Sequence, residues 1–473
     1  MLGKVFKAYD IRSTYPDPLN ESMAWQIGYG CAEFLLNDAA AAGQTTPMMK
    51  SIVVGHDMRK SSPSLRDALT QGMMDGGATV IDVGLVDTPF VYFAINHLDC
   101  AGGVQVTASH NPPQYNGFKV SRRKAKPVGE GTGLEVIRKA GALVDVRTKG
   151  SGEKRYEQRD LWDAYREHVL QFCDTSGKKL RVAIDASNGM AGTMVPKVFG
   201  KTGDNVPGLE VVPLYFDNSK GEFVHEPNPL VAANLKDLQA LVVKEQCDFG
   251  ICFDGDADRL MVVDERGGIV GCDHLTALLA AWFLERNKGS AIVYDLRSSK
   301  ALEEDIIKGG GKPVKGRVGH VFMKAALAEH QGVFGGELSG HFYFRDNFNA
   351  DSGAIAMATL LTVAAERGVG STTTMSQLIK PIARYAQSGE INFENEDKEA
   401  TLADLKAEYA ARGKIDELDG VTVDCFNTEG WWCNVRKSNT EPLLRLNLEA
   451  KTAQKKDEMV EAIADMLGER VAH

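Results

Sequence analysis

Apolar runs alternate with amphipathic segments along most of the chain. Residues 52–54 are apolar, residues 64–74 have helical periodicity, and the apolar runs 80–83 and 103–106 flank a second helical pattern at 93–98. Strand-like runs separated by helical ones predict a βαβαβ unit, and hence a parallel sheet with both faces covered.

The same alternation restarts twice further along the chain. Residues 182–253 repeat it, and after Arg266-Gly267-Gly268 residues 275–330 repeat it again. The charged, glycine-containing stretch 149–159 between the first two rounds is interpreted as a linker. Three units of similar length suggest a diverged internal repeat.

The C-terminal part of the chain has a different pattern. Residues 394–413 are acidic and helix-prone, the alternation at 421–423 and 444–448 predicts antiparallel strands, and residues 459–467 predict an amphipathic helix. The predicted class is therefore α/β, with three similar mixed α/β domains followed by a C-terminal α+β domain. We place these domains at residues 1–153, 154–267, 268–381 and 382–473.

Composition and charge narrow the functional classes. Lys and Arg number 54 against 64 Asp and Glu, a net charge of −10, with no long run of one sign. This balance argues against nucleic acid and anionic membranes as partners. The apolar stretches are shorter than the roughly 20 residues of a membrane span, and the N-terminus lacks the apolar core of a secretory signal. The 8 cysteines form no zinc-spaced cluster, so we expect a cytoplasmic protein with reduced thiols.

A serine-containing loop follows the third apolar run of the first unit. The sequence Thr107-Ala108-Ser109-His110-Asn111 ends in two prolines, which stiffen the exit of the loop. Ligands of α/β proteins bind at the carboxyl ends of parallel strands, which is where Ser109 is expected. An ordinary turn is an equally good interpretation of these residues alone. A hydrolase is disfavoured because no G-x-S-x-G motif is present.

Three aspartates, Asp254, Asp256 and Asp258, lie between two apolar strand-like runs. Three carboxylates that are not solvated need a neutralising cation, and oxygen-only ligation indicates Mg²⁺ or Ca²⁺. An EF-hand is rejected because Arg259 occupies the position of its glycine and the flanks are not helical. Open positions on a Mg²⁺ ion would suit a phosphoryl oxygen.

Two more polar segments are candidate binding sites. In an extended segment, Glu337, Ser339 and His341 would project to one side and could recognise vicinal hydroxyls. Residues 436–442 combine a cation, hydroxyls and an amide, as in an anion-binding nest. The alternative for the first segment is a glycine-rich turn, and the alternative for the second is a helix cap or a surface turn.

The four segments together resemble the α-D-phosphohexomutase superfamily, and within it the bacterial phosphomannomutase/phosphoglucomutase branch. The motifs T-A-S-H-N-P, D-G-D-x-D-R, G-E-x-S-G-H and R-x-S-N-T-E-P occur in this order, one per predicted domain. Residues 6–12, 116–119, 319–320 and 388–392 also match, so the resemblance covers essentially the whole chain.

The resemblance implies four domains around a central cleft, the fourth acting as a lid. It implies a phosphohexomutase that interconverts hexose 6-phosphate and hexose 1-phosphate, of mannose and also of glucose, through a phosphoserine at Ser109 and a bound hexose 1,6-bisphosphate. Mg²⁺ would bind Ser109, Asp254, Asp256 and Asp258. The implied catalytic residues are Ser109, His110, Lys119, His341 and Arg12, with Lys119 and His341 as candidate proton carriers. The implied substrate-binding residues are Tyr9, Arg259, Arg297, His320, Glu337, Ser339, Arg436, Ser438, Asn439 and Thr440.

The implied partners are small-molecule sugar phosphates, and the sequence carries no signal of oligomeric state. Lys437 adds a cation to the implied phosphate loop. Two other functions remain open at this stage. A catalytically silent sugar-phosphate binding protein could use the same motifs, and a metal-dependent sugar phosphatase could use Asp254 as its nucleophile.

Overall fold

The fold was analysed in a computed structural model, which describes residues 2–7, 10–43, 46–150, 152–153, 155–438 and 443–471. The chain forms two compact units. One unit comprises Met1–Val270 with Ser339–Ser376, and the other comprises Gly271–Leu338 with Gln377–His473. No helix among the described residues combines the length and the apolar character that crossing a membrane requires.

The first part of the chain forms a mixed sheet flanked by helices. Its elements are β1 (Ile11–Thr14), α1 (Glu21–Ala41), β2 (Ser51–His56), α2 (Ser62–Asp75), β3 (Thr79–Leu85), α3 (Thr88–His97), β4 (Gly102–Val106), β5 (Tyr115–Arg122), β6 (Lys126–Pro127), α4 (Leu134–Leu143) and β7 (Tyr156–Gln158). Strands β4, β2, β3 and β7 are parallel neighbours, whereas β5 runs antiparallel to β4 and to β1. The interpretation of residues 149–159 as a linker is wrong for β7, which joins this sheet.

The second part repeats the arrangement on a smaller scale. Its elements are α5 (Trp162–Leu170), β8 (Leu180–Asp185), α6 (Ala191–Val198), β9 (Leu209–Leu214), α7 (Lys236–Lys244), β10 (Phe249–Phe253), β11 (Leu260–Asp264) and β12 (Ile269–Val270). Strands β10, β8 and β9 are parallel, and β11 returns antiparallel to β10. The five residues of β10 are all buried, as expected of a central strand whose sequence is almost wholly apolar.

The third part begins with helix α8. Its elements are α8 (Cys272–Arg286), β13 (Ala291–Asp295), α9 (Lys300–Lys308), β14 (Lys312–Gly316), α10 (His320–Glu329), β15 (Phe334–Gly336), β16 (Phe342–Phe344), β17 (Ala350–Asp351), α11 (Gly353–Glu366) and α12 (Met375–Ile379). Strand β13 pairs in parallel with β14 and β15, and β16 pairs antiparallel with β17.

The C-terminal part is an antiparallel sheet with two covering helices. Its elements are β18 (Ala386–Glu394), α13 (Lys398–Tyr409), β19 (Lys414–Asp416), β20 (Val421–Cys425), β21 (Trp431–Lys437), β22 (Leu443–Ala450), α14 (Ala453–Leu467) and β23 (Glu469–Val471). The strand order is β19-β20-β21-β22-β18-β23, with antiparallel neighbours throughout. The buried faces of α13 and α14 pack on this sheet in one apolar core.

Candidate active site

Ser109 lies on a tight loop directly after β4. Its backbone N–H donates to Thr107 Oγ1 at 2.9 Å, and its φ of 51° lies in the left-handed region that a residue with a Cβ rarely adopts. The side chain is 1% exposed. Ser109 Oγ donates to Asp254 Oδ2 at 3.0 Å and lies 3.3 Å from His110 Nδ1. The loop therefore fixes one hydroxyl, pointing at the aspartate triplet.

The triplet follows β10 in the same way as Ser109 follows β4. Asp254, Asp256 and Asp258 are all buried, and one carboxylate oxygen of each lies within 4.8 Å of the others. Three carboxylates so close repel one another, and burial together with Asp258 and Asp256 raises the pKa of Asp254 well above its usual value. The sequence prediction that these residues need a cation is consistent with this geometry.

Lys119, on β5, partly neutralises the triplet. Its ammonium contacts Asp256 Oδ2 at 2.7 Å and also Asp258 Oδ2. Burial opposes charge on Asp258, but Lys119 and His341 outweigh it and hold the pKa of Asp258 well below its usual value. Burial likewise opposes the ammonium, and Asp256 and Asp258 outweigh it to raise the pKa of Lys119. Lys119 is therefore a fixed cation in this centre.

Asp256 is held from a second side by the first turn of α3. Thr88 Oγ1 donates to Asp256 Oδ2 at 2.5 Å, and the Thr88 N–H donates to the Asp256 carbonyl at 3.1 Å. The other carboxylate oxygen, Asp256 Oδ1, is buried and has no hydrogen-bond partner in the described part of the chain. A buried oxygen without a donor beside two more carboxylates fits a hard divalent cation.

His341 reaches this centre through backbone pairing. Arg259 and His341 form an isolated antiparallel bridge, and the Leu260 N–H donates to the Gly340 carbonyl at 3.0 Å. His341 Nε2 lies 3.4 Å from Asp258 Oδ1, and its Nδ1 lies 2.8 Å from Ser339 Oγ. The prediction of an extended segment here is wrong, because residues 338–339 form a turn and Gly340 has a φ of 86°. A positive φ is readily adopted by glycine, and it interrupts the alternating side-chain directions that an extended segment would have.

Arg12 borders the serine loop on another side. Its guanidinium contacts Asn111 Oδ1 and Asp10 Oδ2. Desolvation, Arg259 and Arg12 together hold the pKa of His110 well below its usual value, so its imidazole is neutral near pH 7. Tyr9, which the resemblance also placed here, lies outside the described residues.

The other compact unit contains a separate cluster of arginines around Glu390. Glu390 Oε2 accepts from Arg436 Nη2 at 2.9 Å and from Arg297 Nη1 at 3.3 Å, and Glu390 Oε1 accepts from Arg445 Nη1 at 2.9 Å. Burial alone would raise the pKa of Glu390, but Arg436, Arg297 and Arg445 lower it to about 2. Arg436 and Arg445 face each other across β21 and β22, and the carboxylate between them offsets their repulsion.

Asp295 orients both Arg297 and the segment that carries Glu337, a candidate for sugar binding. Arg297 donates through Nε and Nη2 to the two oxygens of Asp295 at 3.1 and 2.9 Å, and the Leu338 N–H donates to Asp295 Oδ2 at 2.7 Å. Glu337 is buried and accepts from the Gly319 N–H at 2.8 Å. His320 is the first residue of α10, directly after Gly319. The cluster balances three guanidiniums, Arg297, Arg436 and Arg445, with three carboxylates, Glu390, Asp295 and Glu337. What suits it to a phosphate is the fixed orientation of its N–H donors.

The implied phosphate loop is described only at its ends. The Ser438 N–H donates to the Leu443 carbonyl at 2.9 Å, and Asn439 and Thr440 lie outside the described residues. Lys437 alternates with Arg436 along β21, and its ammonium contacts Glu399 Oε1. The expectation that Lys437 adds a cation to the phosphate site is therefore wrong in this structure.

Several functional residues of these two centres were not predicted from the sequence. Thr88, Arg59, Arg445 and the orienting role of Asp295 became visible only in the structure. A signal for the first two was present, because both lie just after parallel strands of the first sheet, as Ser109 does. Arg445 carried no local signal, since it lies in the middle of β22.

Asp87, next to Thr88, is expected to make stability depend on pH. It is buried and accepts from Tyr165 Oη at 2.8 Å, and desolvation by burial raises the pKa of Asp87 to about 7 from its usual 3.8. Folding therefore takes up a proton between about pH 4 and pH 7, and this contribution to stability is lost as the pH rises. Asp87→Asn should raise Tm much more at pH 8 than at pH 4.5, measured by scanning calorimetry. An equal change at both pH values would contradict the assignment.

The chain is similar to known proteins in both sequence and structure. Models of the phosphoglucomutase/phosphomannomutase family match in order: alpha/beta/alpha domain I over residues 3–141, domain II over 163–268, domain III over 272–385 and the C-terminal domain over 390–466. Together they confirm the predicted four-domain α/β class.

Individual relatives cover nearly the whole chain. A phosphohexose mutase of Xanthomonas campestris pv. campestris (strain B100) is 38% identical over 453 residues, 94% of this chain and 95% of that protein. A phosphomannomutase of Salmonella montevideo is 34% identical over 453 residues, 94% of each. The crystal structure of a phosphoglucomutase/phosphomannomutase family protein from Burkholderia thailandensis has a TM-score of 0.85 and 30% identity, covering 98% of this chain and 96% of that one. The chain therefore belongs to the phosphoglucomutase/phosphomannomutase family of hexose phosphate mutases.

Proposed function

We propose that this mutase interconverts the 1- and 6-phosphates of mannose and of glucose through a phosphoserine at Ser109. The observation that carries the proposal is the fixed Ser109 hydroxyl, 3.0 Å from Asp254 Oδ2 at the edge of three buried carboxylates. No motif reads the hydroxyl at C2, by which the two sugars differ, so both are expected substrates.

The reaction uses Ser109 twice. Phospho-Ser109 gives its phosphoryl group to the free hydroxyl of a bound hexose monophosphate, so that the Ser109 O–P bond breaks and a sugar O–P bond forms. Of the two candidate proton carriers, Lys119 is already an ammonium held by Asp256 and Asp258, so the hydroxyl proton passes to His341. The resulting hexose 1,6-bisphosphate then reorients end over end, and its other phosphoryl group is transferred back to Ser109.

Mg²⁺ is the proposed metal of this centre. Asp254, Asp256 and Asp258 would hold it together with an oxygen on Ser109, since the three carboxylates lie within reach of one ion and Ser109 Oγ lies 3.0 Å from Asp254 Oδ2. When bound, it supplies positive charge beside the transferring phosphoryl group. Burial of Ser109 also limits access of water, which would otherwise hydrolyse the phosphoserine.

The phosphate that does not react is assigned to the cluster around Arg436. Arg297, Arg436 and Arg445 are preoriented by Glu390 and Asp295, and a preoriented guanidinium binds a phosphate with little loss of side-chain entropy. Arginines recognise the phosphate group rather than its position on the sugar, so the cluster can accept either end of the bisphosphate. Glu337 and Ser339 are proposed to bind sugar hydroxyls.

Arg436→Met should raise KM more than it lowers kcat. The variant removes a buried guanidinium that binds the distant phosphate in ground state and transition state alike, and we expect KM for mannose 1-phosphate to rise about tenfold or more. Steady-state kinetics at saturating Mg²⁺ measure this. Arg412→Met is the matched control, because Arg412 forms an exposed pair with Glu429 that contributes little. A fall in kcat with KM unchanged would contradict the assignment.

The proposal is tested by phosphopeptide mapping and by turnover. After incubation with glucose 1,6-bisphosphate and Mg²⁺, mass spectrometry should find phosphate on Ser109, and the bisphosphate should stimulate conversion of mannose 1-phosphate to mannose 6-phosphate. EDTA should abolish the activity, and Mg²⁺ should restore it. Full activity in an enzyme whose Ser109 carries no phosphate at any stage would contradict the proposal.

The same assay separates the two alternatives. A silent binding protein would bind sugar phosphates tightly in calorimetry without turnover. A phosphatase would release inorganic phosphate in a reaction that survives Ser109→Ala but not Asp254→Asn. The geometry does not favour the phosphatase, because Asp254 is occupied by the Ser109 hydroxyl and by the Arg259 N–H, at 3.0 and 3.2 Å.

The proposed setting is the reducing cytoplasm, with sugar phosphates as partners. All eight cysteines are free thiols, and seven of them are buried. Free thiols throughout a chain of this size fit a reducing compartment.

A further inference from the structure

We propose that Arg59 is a positioning residue for the phosphoryl carrier, holding the backbone of the serine loop in the conformation that Ser109 needs. This inference rests on the proposed role of Ser109. Arg59 follows β2 and lies on none of the four motifs that identify the family. Its side chain is completely buried.

The guanidinium of Arg59 satisfies all five of its N–H donors. Nε donates to Asp57 Oδ2 at 3.1 Å. Nη1 donates to the carbonyls of Pro112 and Tyr115 at 2.7 and 3.1 Å, and Nη2 donates to those of Ser109 and Asn111 at 2.8 and 2.6 Å. Four of the five acceptors are backbone carbonyls of one short segment. A lysine has three donors and no planar fork, so it cannot replace this pattern.

The four hydrogen bonds from Arg59 to the carbonyls of the serine loop, here called the clamp, act on a backbone conformation that is unfavourable by itself. Ser109 has a φ of 51°, and a residue with a Cβ in this region is strained unless its surroundings fix it. Arg59 Nη2 holds the carbonyl of that same residue. Because the backbone of Ser109 directs its hydroxyl, a relaxed loop would move Oγ away from Asp254.

Arg59 is itself held from two directions. Asp57 Oδ1 accepts from the Arg59 N–H at 3.1 Å and from the hydroxyl of Ser62. On the other side, the ring of Phe223 lies over the guanidinium, with 5.1 Å between its centroid and Cζ. The loop that carries Phe223 is fixed by a contact of 3.1 Å between His225 Nε2 and Asp185 Oδ2. The guanidinium therefore links the serine loop to a rigid support.

Loss of this clamp should change chemistry more than binding. The phosphoryl group must be in line with the attacking hydroxyl, and a displacement of the order of 1 Å can reduce the rate about 10²-fold. Within the described part of the chain, no residue assigned to the sugar or to the distant phosphate contacts Arg59. Weakening the clamp should therefore lower kcat and leave KM for the hexose phosphate nearly unchanged.

The experiment compares Arg59→Lys with the wild type after phosphorylation by glucose 1,6-bisphosphate. We expect kcat for mannose 1-phosphate, per phosphorylated molecule, to fall at least about tenfold with KM unchanged. The ³¹P resonance of phospho-Ser109 should shift toward that of a free phosphoserine peptide. A purely structural role would lower Tm without moving this resonance.

Arg66→Lys is the matched control, because the guanidinium of Arg66 pairs with Asp67 and Asp82 instead of the serine loop. It should leave kcat, KM and the resonance unchanged. If Arg59→Lys matches Arg66→Lys in all three, the inference is overturned while the proposed function stands. If the wild type carries no phosphate on Ser109, the proposed function itself fails.

A second variant covers the case in which Arg59→Lys does not fold. Phe223→Leu keeps all five hydrogen bonds and removes only the aromatic face over the guanidinium. We expect kcat to fall about threefold to fivefold at constant KM, the size of a lost cation–π contact. An unchanged kcat in Phe223→Leu would overturn the inference in that case.

Discussion

Replacing Ser109 with alanine is expected to lower the interconversion of mannose 1- and 6-phosphate by at least about 10⁴-fold, the range seen when a covalent nucleophile is removed. Without Oγ, no phosphoryl group can be stored between the two half-reactions. The aspartates, Lys119 and the arginine cluster stay in place, so binding of the hexose phosphate should persist. Turnover and calorimetric binding to the same variant measure both effects.

The control for Ser109→Ala is another buried serine of the first sheet. Ser121 lies on β5 and is 3% exposed. Ser121→Ala should retain wild-type turnover, because no part of the proposed reaction involves it. Turnover by Ser109→Ala that stayed within an order of magnitude of the wild type would mean that another group carries the phosphoryl, and release of inorganic phosphate by that variant would support Asp254 instead.

The sequence predicted those parts of the site whose residues are contiguous. The second round of the alternation ends with the apolar run at residues 249–253, and the structure places β10 at Phe249–Phe253. Because a central parallel strand is apolar along its length, its end marks where the polar loop begins. Asp254 and Ser109 both follow such strand ends, so local pattern and ligand-binding geometry pointed to the same residues.

For residues that act through distant contacts, a position after a strand does not reveal which groups the side chain will contact. Arg59 contacts carbonyls about fifty positions further along the chain, and Glu390 bonds arginines from β21, β22 and the loop after β13. Backbone carbonyls are present at every residue, so no side-chain pattern reveals that an arginine will bind four of them. Tertiary structure alone decides which carbonyls converge.

The hydrophobic pattern did not predict helix α1, because the apolar residues of this helix do not follow a simple helical period. The helix spans Glu21–Ala41 and is buried on much of its circumference, so its apolar residues are not confined to one stripe. Gly28 and Gly30 lie against the backbones of Leu69 and Ile137, where a Cβ would come within 2.1 and 2.3 Å of a carbonyl oxygen. Small residues that allow close helix packing reduce the apolar periodicity on which the sequence prediction depended.

Gly255→Ala should be the most damaging change that removes no chemical group from the site. An alanine Cβ at this position would lie 2.4 Å from the Ser109 carbonyl oxygen, closer than real contacts allow. The obstacle is backbone that Arg59 also holds, so it cannot rotate away as a side chain could. The serine loop and the aspartate loop must therefore separate, which lengthens the 3.0 Å contact between Ser109 Oγ and Asp254 Oδ2.

We expect kcat of Gly255→Ala to fall by about 10²-fold or more, since a separation near 1 Å misaligns the phosphoryl group and the metal ligands together. Phosphorylation of Ser109 by the bisphosphate should slow in parallel, measured by mass spectrometry over time. Gly3→Ala is the control, because a Cβ at Gly3 meets no atom within 4 Å. Unaltered kcat in Gly255→Ala would show that the two loops are not in contact in the working enzyme, and would remove the geometric basis for a metal site shared by Ser109 and the three aspartates.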